Sequence, residues 1–538
     1  MSAIKSFFCF KKPELKLWLY VFAALIIVFL PLLLHFIWGN HDWQPLIYDN
    51  HYRSGLIEGR FSQYVFLNIL LMGKILPILN ILLGLALYTL ALVLLYTRFF
   101  EFELHPHTAL ILISVGLLPY INEILYFQFI VFSQLSWPLI IVLSLICCKK
   151  ASSSKHFILY TIAGFLILLF AIGGYPATAN LFVTATTLWL ITQYTSQYQI
   201  KHLILKALPF LISLIFSFLC LYIIYGWLMK HNLMMNLYNN QTMGPKELIL
   251  NIFPTLSGAL HSLIQPQPFF SLTLKSVISG IFLLYAGYEI YSCNKISQKI
   301  TMTGLFIVLL ICLKFSALLT KETSDNAFAV YDPIIHMVRT DFYTIPCLIL
   351  VALAKFYQSK PVFLKNITFI TALILIILST KADLYFIKTQ KLGFIAEDLL
   401  QQRLNNRLQE NPAYKYQNLY TVVQAGELPL RTRYYQPSVL EKYGYYTLQI
   451  PYGRHWIAFE YYNFFEPTPF VREGTTIQLD NNTTPIAEFI TQIAVWPNEK
   501  SIYMDNNKAI IALTPKGKKM LIDQFKLVTG NTHDETIR

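Results

Sequence analysis

The sequence predicts a mainly α-helical protein that crosses a membrane many times and ends in a small extracytoplasmic α/β domain. Three observations predict it. The 538 residues are 55% hydrophobic and 13% charged, with a mean hydropathy of +0.49. A soluble chain of this length would need far more charge to cover its surface. Apolar runs near bilayer length recur throughout residues 17–383. Beyond residue 383 the pattern changes to short alternating runs separated by Pro, Asn and Gly.

The first apolar run, Leu17 to Trp38, is long and lacks the small-residue exit of a cleaved signal peptide. It reads as a retained signal-anchor helix. Further spans are predicted near 75–97, 108–120, 129–148, 157–173, 177–194, 207–228, 273–292, 302–319, 342–357 and 366–383, giving about eleven in all. The third and fifth are short enough to be tilted, bent or partly re-entrant. Residues 1–383 are thus expected to form the transmembrane domain and 384–538 a separate one. The latter opens with an amphipathic helix, Ala396 to Glu410, carrying Leu400, Leu404 and Leu408 at i, i+4 spacing. The β-like runs "NLYTVV", "YTLQI" and "KAIIALT" follow.

Charge gives the orientation. With the N-terminus inside, the predicted inner segments hold Lys11, Lys12, Lys149, Lys150, Lys295, Lys299 and many other cations, while the longer outer loops hold far fewer. The net charge of +13 therefore reads as a membrane-orientation signal with lipids as partners, not as a nucleic-acid footprint. The C-terminal domain falls outside. The seven cysteines avoid that domain and form no CxxC, so no disulfide framework and no zinc site are expected.

Arginine breaks the orientation trend. Up to Asp383 there are four, and Arg53, Arg60 and Arg339 all fall in predicted outer loops. Arg is a planar fork suited to phosphate and carboxylate. In "YDNHYRSGLIEGRF", Asp49, Arg53 and Arg60 would share one face if the stretch were helical, with Asp42 and Glu58 close by. In "SDNAFAVYDPIIHMVRTDF", Asp332, His336 and Arg339 stand at i, i+4 and i+7 of a helix that Pro333 would start, and Asp341 follows. "PYINEILYFQ" adds Asn122, Glu123 and Gln128, and "GGYPATAN" adds Tyr175 and Asn180. Four outer loops thus bring acids, guanidiniums and aromatic rings to one leaflet. Sugar transfer from a lipid-linked phosphate needs this kit: a carboxylate base, cations for the departing phosphate and an apolar groove for the lipid tail. Lys314, inside the ninth span, is expected to snorkel, with approach to a phosphate as the alternative. No spacing is diagnostic of a metal, and neither metal nor cofactor is expected.

The stretch "YDNHYRSGLIEGR", with Asp49, Arg53, Gly55, Gly59 and Arg60, resembles the signature region of the bacterial serotype-converting type II glucosyltransferases. The "GGYPATAN" turn and Arg339 before a late span are similar too. That family belongs to the multispanning C-type glycosyltransferases. The resemblance implies inverting transfer of glucose or a similar sugar from undecaprenyl-phosphate to a cell-surface polysaccharide such as O-antigen, part of lipopolysaccharide. The reaction would face the periplasm of the bacterial inner membrane. It implies Asp49 as first choice for the base and Asp42 as second, with Arg53, Arg60 and Arg339 on the donor phosphate. Tyr175 would line the sugar pocket. Glu58, Glu123, His336 and Asp341 complete the candidate substrate-binding set.

Two other functions compete. A transporter or flippase of lipid-linked sugars should carry ionisable groups at mid-membrane in several helices, or repeated halves. An O-antigen polymerase or ligase usually centres on one large late outer loop. Here the most charged loop comes first.

Overall fold

In the computed structural model, the described residues are 11–34, 56, 59–73, 76–125, 130–197, 200–234, 252–264, 270–316, 327–359, 361–415, 418, 420–425, 470–472, 484–505 and 508–529. They fall into two compact units, one within 11–386 and one within 387–529.

Among the described residues the regular structure of the first unit is all helical, as lipid demands of backbone that has no water to bond. In chain order its helices are α1 (Lys12–Leu34), α2 (Phe61–Leu71), α3 (Pro77–Leu94, running on through a π-turn, Leu95–Phe99), α4 (Thr108–Gly116), α5 (Ile121–Leu125), α6 (Val131–Ala151), α7 (Phe157–Gly174), α8 (Ala179–Gln197), α9 (Ile200–Lys230), α10 (Ile252–Ile264), α11 (Leu272–Tyr291), α12 (Ile296–Leu313), α13 (Ala327–Gln358) and α14 (Val362–Gln409), which runs on into the second unit. Eight helices among the described residues are long and apolar enough to cross a membrane, and each coincides with one predicted span. The other three predicted spans are helices of a different kind. Residues 108–120 hold the nine-residue α4; α8 is rich in Thr and Gln; α11 buries Lys275 and Glu289.

Large apolar side chains stand exposed along α1, α7, α9 and α14, among them Ile27, Ile158, Ile223 and Ile377. Such a surface suits lipid, not water. Inside, α6 and the Thr340–Gln358 part of α13 are almost wholly buried. Small polar groups tie α6, α7 and α9 together: Ser144 donates to the Gly164 carbonyl at 2.7 Å, and Ser213 lies 3.3 Å from the Cys148 thiol. At the end of the helices predicted to face the cytoplasm, Arg98 grips Glu14 through Nε (3.0 Å) and an Nη nitrogen (2.7 Å), and Lys149 pairs with Glu101 at 2.9 Å. That bidentate fork is the work of the one arginine placed inside by the orientation reading.

The second unit holds a four-stranded sheet in the order β2-β1-β4-β3, with β1 Tyr420–Ala425, β2 Phe470–Arg472, β3 Ile502–Met504 and β4 Lys508–Ala512. β1 is parallel to β2 and β4, and β3 is antiparallel to β4. The central β4 is buried on both faces. Ala509 and Ile511 pack with Leu404 and Leu408 of α14, while Ile510 and Ala512 pack with α15 (Thr484–Gln492) and α16 (Pro515–Thr529). The predicted amphipathic helix therefore buries Leu404 and Leu408 as its spacing requires. The first and third β-like runs form β1 and β4. "YTLQI" lies outside the described residues.

Candidate active site

The site begins at a turn. Gly59 has φ +79°, and a Cβ there would come within 2.8 Å of the Met234 side chain and 3.1 Å of Tyr225 on α9, so both backbone and space call for glycine. Arg60 follows as the N-cap residue of α2, its carbonyl accepting the first helical bond from the Tyr64 N–H at 3.1 Å. The left-handed Gly59 separates Arg60 from whatever precedes it. Any helix over the preceding stretch, the condition for Asp49, Arg53 and Arg60 to share one face, therefore does not run through Gly59 and Arg60, while Asp49 and Arg53 themselves lie outside the described residues.

Tyr175 meets it from α7. That helix ends in Gly173 and Gly174, after which Tyr175 is extended (φ −159°, ψ 108°) and Pro176 opens a short 3-10 turn into α8. A Cβ on Gly173 would overlap the Phe61 ring, and one on Gly174 the Trp137 ring. The two glycines let α7 close against the start of α2 and the first turns of α6. Tyr175 is buried, and the Arg60 guanidinium carbon sits 5.3 Å from its ring centroid, a cation–π contact. On its other side, Tyr343 of α13 lies 6.2 Å from Tyr175 and donates to Gln134 Oε1 of α6 at 2.7 Å.

Polar atoms gather around this stack. Ser62 Oγ, Gln134 Nε2 and Trp137 Nε1 are buried and, among the described residues, without a hydrogen-bond partner. Buried donors left unpaired are costly, and they are kept where a polar ligand can take them up. Aromatic faces, one guanidinium and several hydroxyl, amide and indole donors are the groups that bind a sugar beside an anion.

A second polar cluster adjoins it. Asn180 of α8 donates to Ser316 Oγ (2.8 Å) and accepts from the Ser316 N–H (2.7 Å), two residues beyond Lys314. Lys314 does not snorkel: it is buried and bonds Asp341 Oδ1 at 2.7 Å and Thr340 Oγ1 at 2.9 Å. The stretch Tyr120 to Asn122 completes this end, with Asn122 donating to the buried Asp383 at 2.8 Å.

The structure therefore brings together Arg60 and Tyr175, and it places Asp341 two residues before Tyr343 on α13. Glu123 lies on α5, and His336 and Arg339 lie on α13, of which the backbone is described there. Asp332, His336 and Arg339 keep one-face spacing in that helix, but it starts at Ala327, so Pro333 falls inside it and does not begin it. Asp42, Asp49, Arg53 and Glu58 lie outside the described residues. Sequence reasoning passed over Gln134, Trp137, Tyr343 and Lys275. For Lys275 and Gln134 the available signal was a strongly polar group within a predicted span. The aromatic residues gave none.

The family model for Glucosyl transferase GtrII matches residues 40–337, more than half of the chain, and that stretch contains Arg60, Gln134, Trp137, Tyr175 and Lys314. No curated protein and no solved structure gave a match. The chain is a membrane-type helical glycosyltransferase and belongs to the glucosyl transferase GtrII family.

Proposed function

We propose that this protein transfers glucose, or a similar sugar, from undecaprenyl-phosphate to a cell-surface glycan such as O-antigen, at the periplasmic face of the bacterial inner membrane. The observation that carries the reading is the Arg60–Tyr175 stack amid buried, unpartnered donors, inside the matched region. A ring face and a guanidinium side by side suit a sugar joined to a phosphate.

The chemistry is a single inverting displacement. A carboxylate, Asp49 first and Asp42 second, takes the proton of the acceptor hydroxyl. The freed oxygen attacks the anomeric carbon from the face opposite the phosphate. The carbon–oxygen bond to phosphate breaks, and its electron pair leaves on the lipid phosphate. Arg60, with Arg53 and Arg339, offsets the charge that builds there. Tyr175 holds the sugar face, and Glu58, Glu123 and His336 contribute polar contacts to the two substrates.

Deletion of the gene tests this reading. Mass spectrometry of the surface polysaccharide is expected to show one hexose lost from each repeat, restored by the wild-type chain and not by Asp49→Asn. Shortened polymer with unchanged repeats would instead indicate a polymerase. A restored hexose with Asp49→Asn would remove that residue from the base role.

A further inference from the structure

We infer that Glu289 and Tyr285 of α11, with Lys355 of α13, form a binding site for the headgroup of an aminophospholipid, phosphatidylethanolamine in chemical type, at the end of the helices predicted to face the cytoplasm. The inference does not depend on which sugar or donor the protein uses.

Glu289 lies in the last turn of α11 and is buried. Among the described residues its Oε1 has no hydrogen-bond partner and its carboxylate closes no ion pair. Tyr285 stands one turn earlier on the same face. It is fully buried, and its hydroxyl likewise has no partner among the described residues. Its ring lies 5.6 Å from that of Phe306 on α12 and 6.3 Å from that of Phe356 on α13, and Tyr288 lies 5.8 Å from Phe356. Lys355, beside Phe356 in sequence, is half-buried and near enough to act on Glu289 electrostatically, yet no ion pair joins the two among the described residues.

A buried carboxylate oxygen and a buried hydroxyl without partners are costly, and such groups are kept where a ligand supplies what they lack. An ionised carboxylate only accepts, so Glu289 lacks a donor and a positive charge. The rings of Tyr285, Tyr288 and Phe356 favour a cation at this end as well. A carboxylate and an ammonium that attract without closing a bridge leave room for a zwitterion of the opposite order. Its ammonium would meet Glu289 and its phosphate Lys355, and the charge stays balanced. Lys299, in the first turn of α12, brings a second cation to the same end. It acts on Cys293, whose thiol donates to the Glu289 carbonyl at 3.5 Å.

The orphaned oxygens select the headgroup. A primary ammonium has three N–H donors and a trimethylammonium has none, so an ethanolamine headgroup satisfies Glu289 and Tyr285 where a choline headgroup does not. A headgroup with a phosphate and no amine would set its charge against Glu289. The setting favours a lipid over a soluble amine. Leu283, Leu284 and Tyr291 of α11 and Ile300 of α12 are exposed, a surface that suits acyl chains. Lys295 and Lys299 mark the level of the headgroups.

The test is lipid retention by the full-length chain, read by native mass spectrometry. The nanodiscs are of phosphatidylcholine with equal minor amounts of phosphatidylethanolamine and phosphatidylglycerol, all with the same acyl chains. The wild type is expected to keep one phosphatidylethanolamine roughly 10-fold in preference to either other lipid. Glu289→Gln, which keeps the size and removes the charge, should weaken that retention roughly 10- to 100-fold, and Tyr285→Phe by a smaller factor. In phosphatidylcholine alone, Glu289→Gln should unfold at the wild-type temperature or above it, because the buried charge it removes has no ion pair. Added phosphatidylethanolamine should raise the wild-type midpoint and leave that of Glu289→Gln unchanged. Four results would overturn the inference: wild-type retention that does not distinguish phosphatidylethanolamine from phosphatidylcholine, undiminished retention by Glu289→Gln, a Glu289→Gln chain that unfolds well below the wild type in phosphatidylcholine alone, or capture of free ethanolamine from solution in place of the lipid.

Discussion

The Arg60 guanidinium lies over the Tyr175 ring, 5.3 Å from its centroid, joining the start of α2 to the end of α7. With Tyr175 buried and Arg60 half-buried, such a cation–π contact is worth about 0.5–2 kcal/mol, and the same two groups are offered to the substrate. Arg60→Ala is expected to lower transfer by roughly 100-fold. Tyr175→Phe, which keeps the ring face, should lose far less than Tyr175→Ala. Initial rates with a polyprenyl-phosphate glucose donor check both, and similar losses for the two Tyr175 variants would detach the ring from sugar binding.

Gly174 has no room for a methyl group, because the Trp137 ring occupies the place where it would stand. Gly174→Ala should cost about 1–3 kcal/mol of stability through overpacking. Trp137→Leu in the same chain should recover part of that loss. Thermal unfolding in detergent measures it, and an unchanged midpoint for Gly174→Ala would show that the helices part there without cost.

Lys314 and Asp341 are both buried, with 2.7 Å between Nζ and Oδ1. Removing one partner leaves the other charged in a poor solvent, so Lys314→Met or Asp341→Asn alone should destabilise by about 3–5 kcal/mol. The double variant Lys314→Met with Asp341→Leu should be more stable than either single one. Comparing the three midpoints decides whether the pair is coupled as the geometry requires.

At the opposite end of the helices, Arg98 holds Glu14 with two hydrogen bonds. Arg98→Ala should cost about 1–3 kcal/mol by leaving a buried carboxylate without its guanidinium, held only by the Lys11 N–H and the Thr97 hydroxyl. Transfer per folded molecule should stay at the wild-type level. A fall in kcat without loss of stability would connect that end to the chemistry.

Much of this architecture was legible because hydropathy reports directly on the bilayer. Eight of the predicted spans are apolar helices of sufficient length. The three others show where the rule weakens: α8 and α11 carry polar groups that neighbouring helices bury, which a window average cannot separate from exposure. Arg60 and Tyr175 were legible because charge and a glycine-flanked aromatic stand out in an apolar chain. Their partners were not. Trp137 and Tyr343 look like ordinary aromatic residues of a span until tertiary packing turns them toward the site. Lys314 was read as snorkelling because Asp341, its partner, is 27 residues away in sequence.

The most direct measurement is sugar transfer by the purified full-length chain in liposomes, supplied in parallel with polyprenyl-phosphate glucose and with a nucleotide-linked glucose, and with a lipid-linked surface glycan as acceptor. The account predicts transfer from the polyprenyl donor alone, reduced roughly 100-fold by Arg60→Ala. Transfer from the nucleotide donor alone, or from the polyprenyl donor at an equal rate with and without the Arg60 guanidinium, would contradict it.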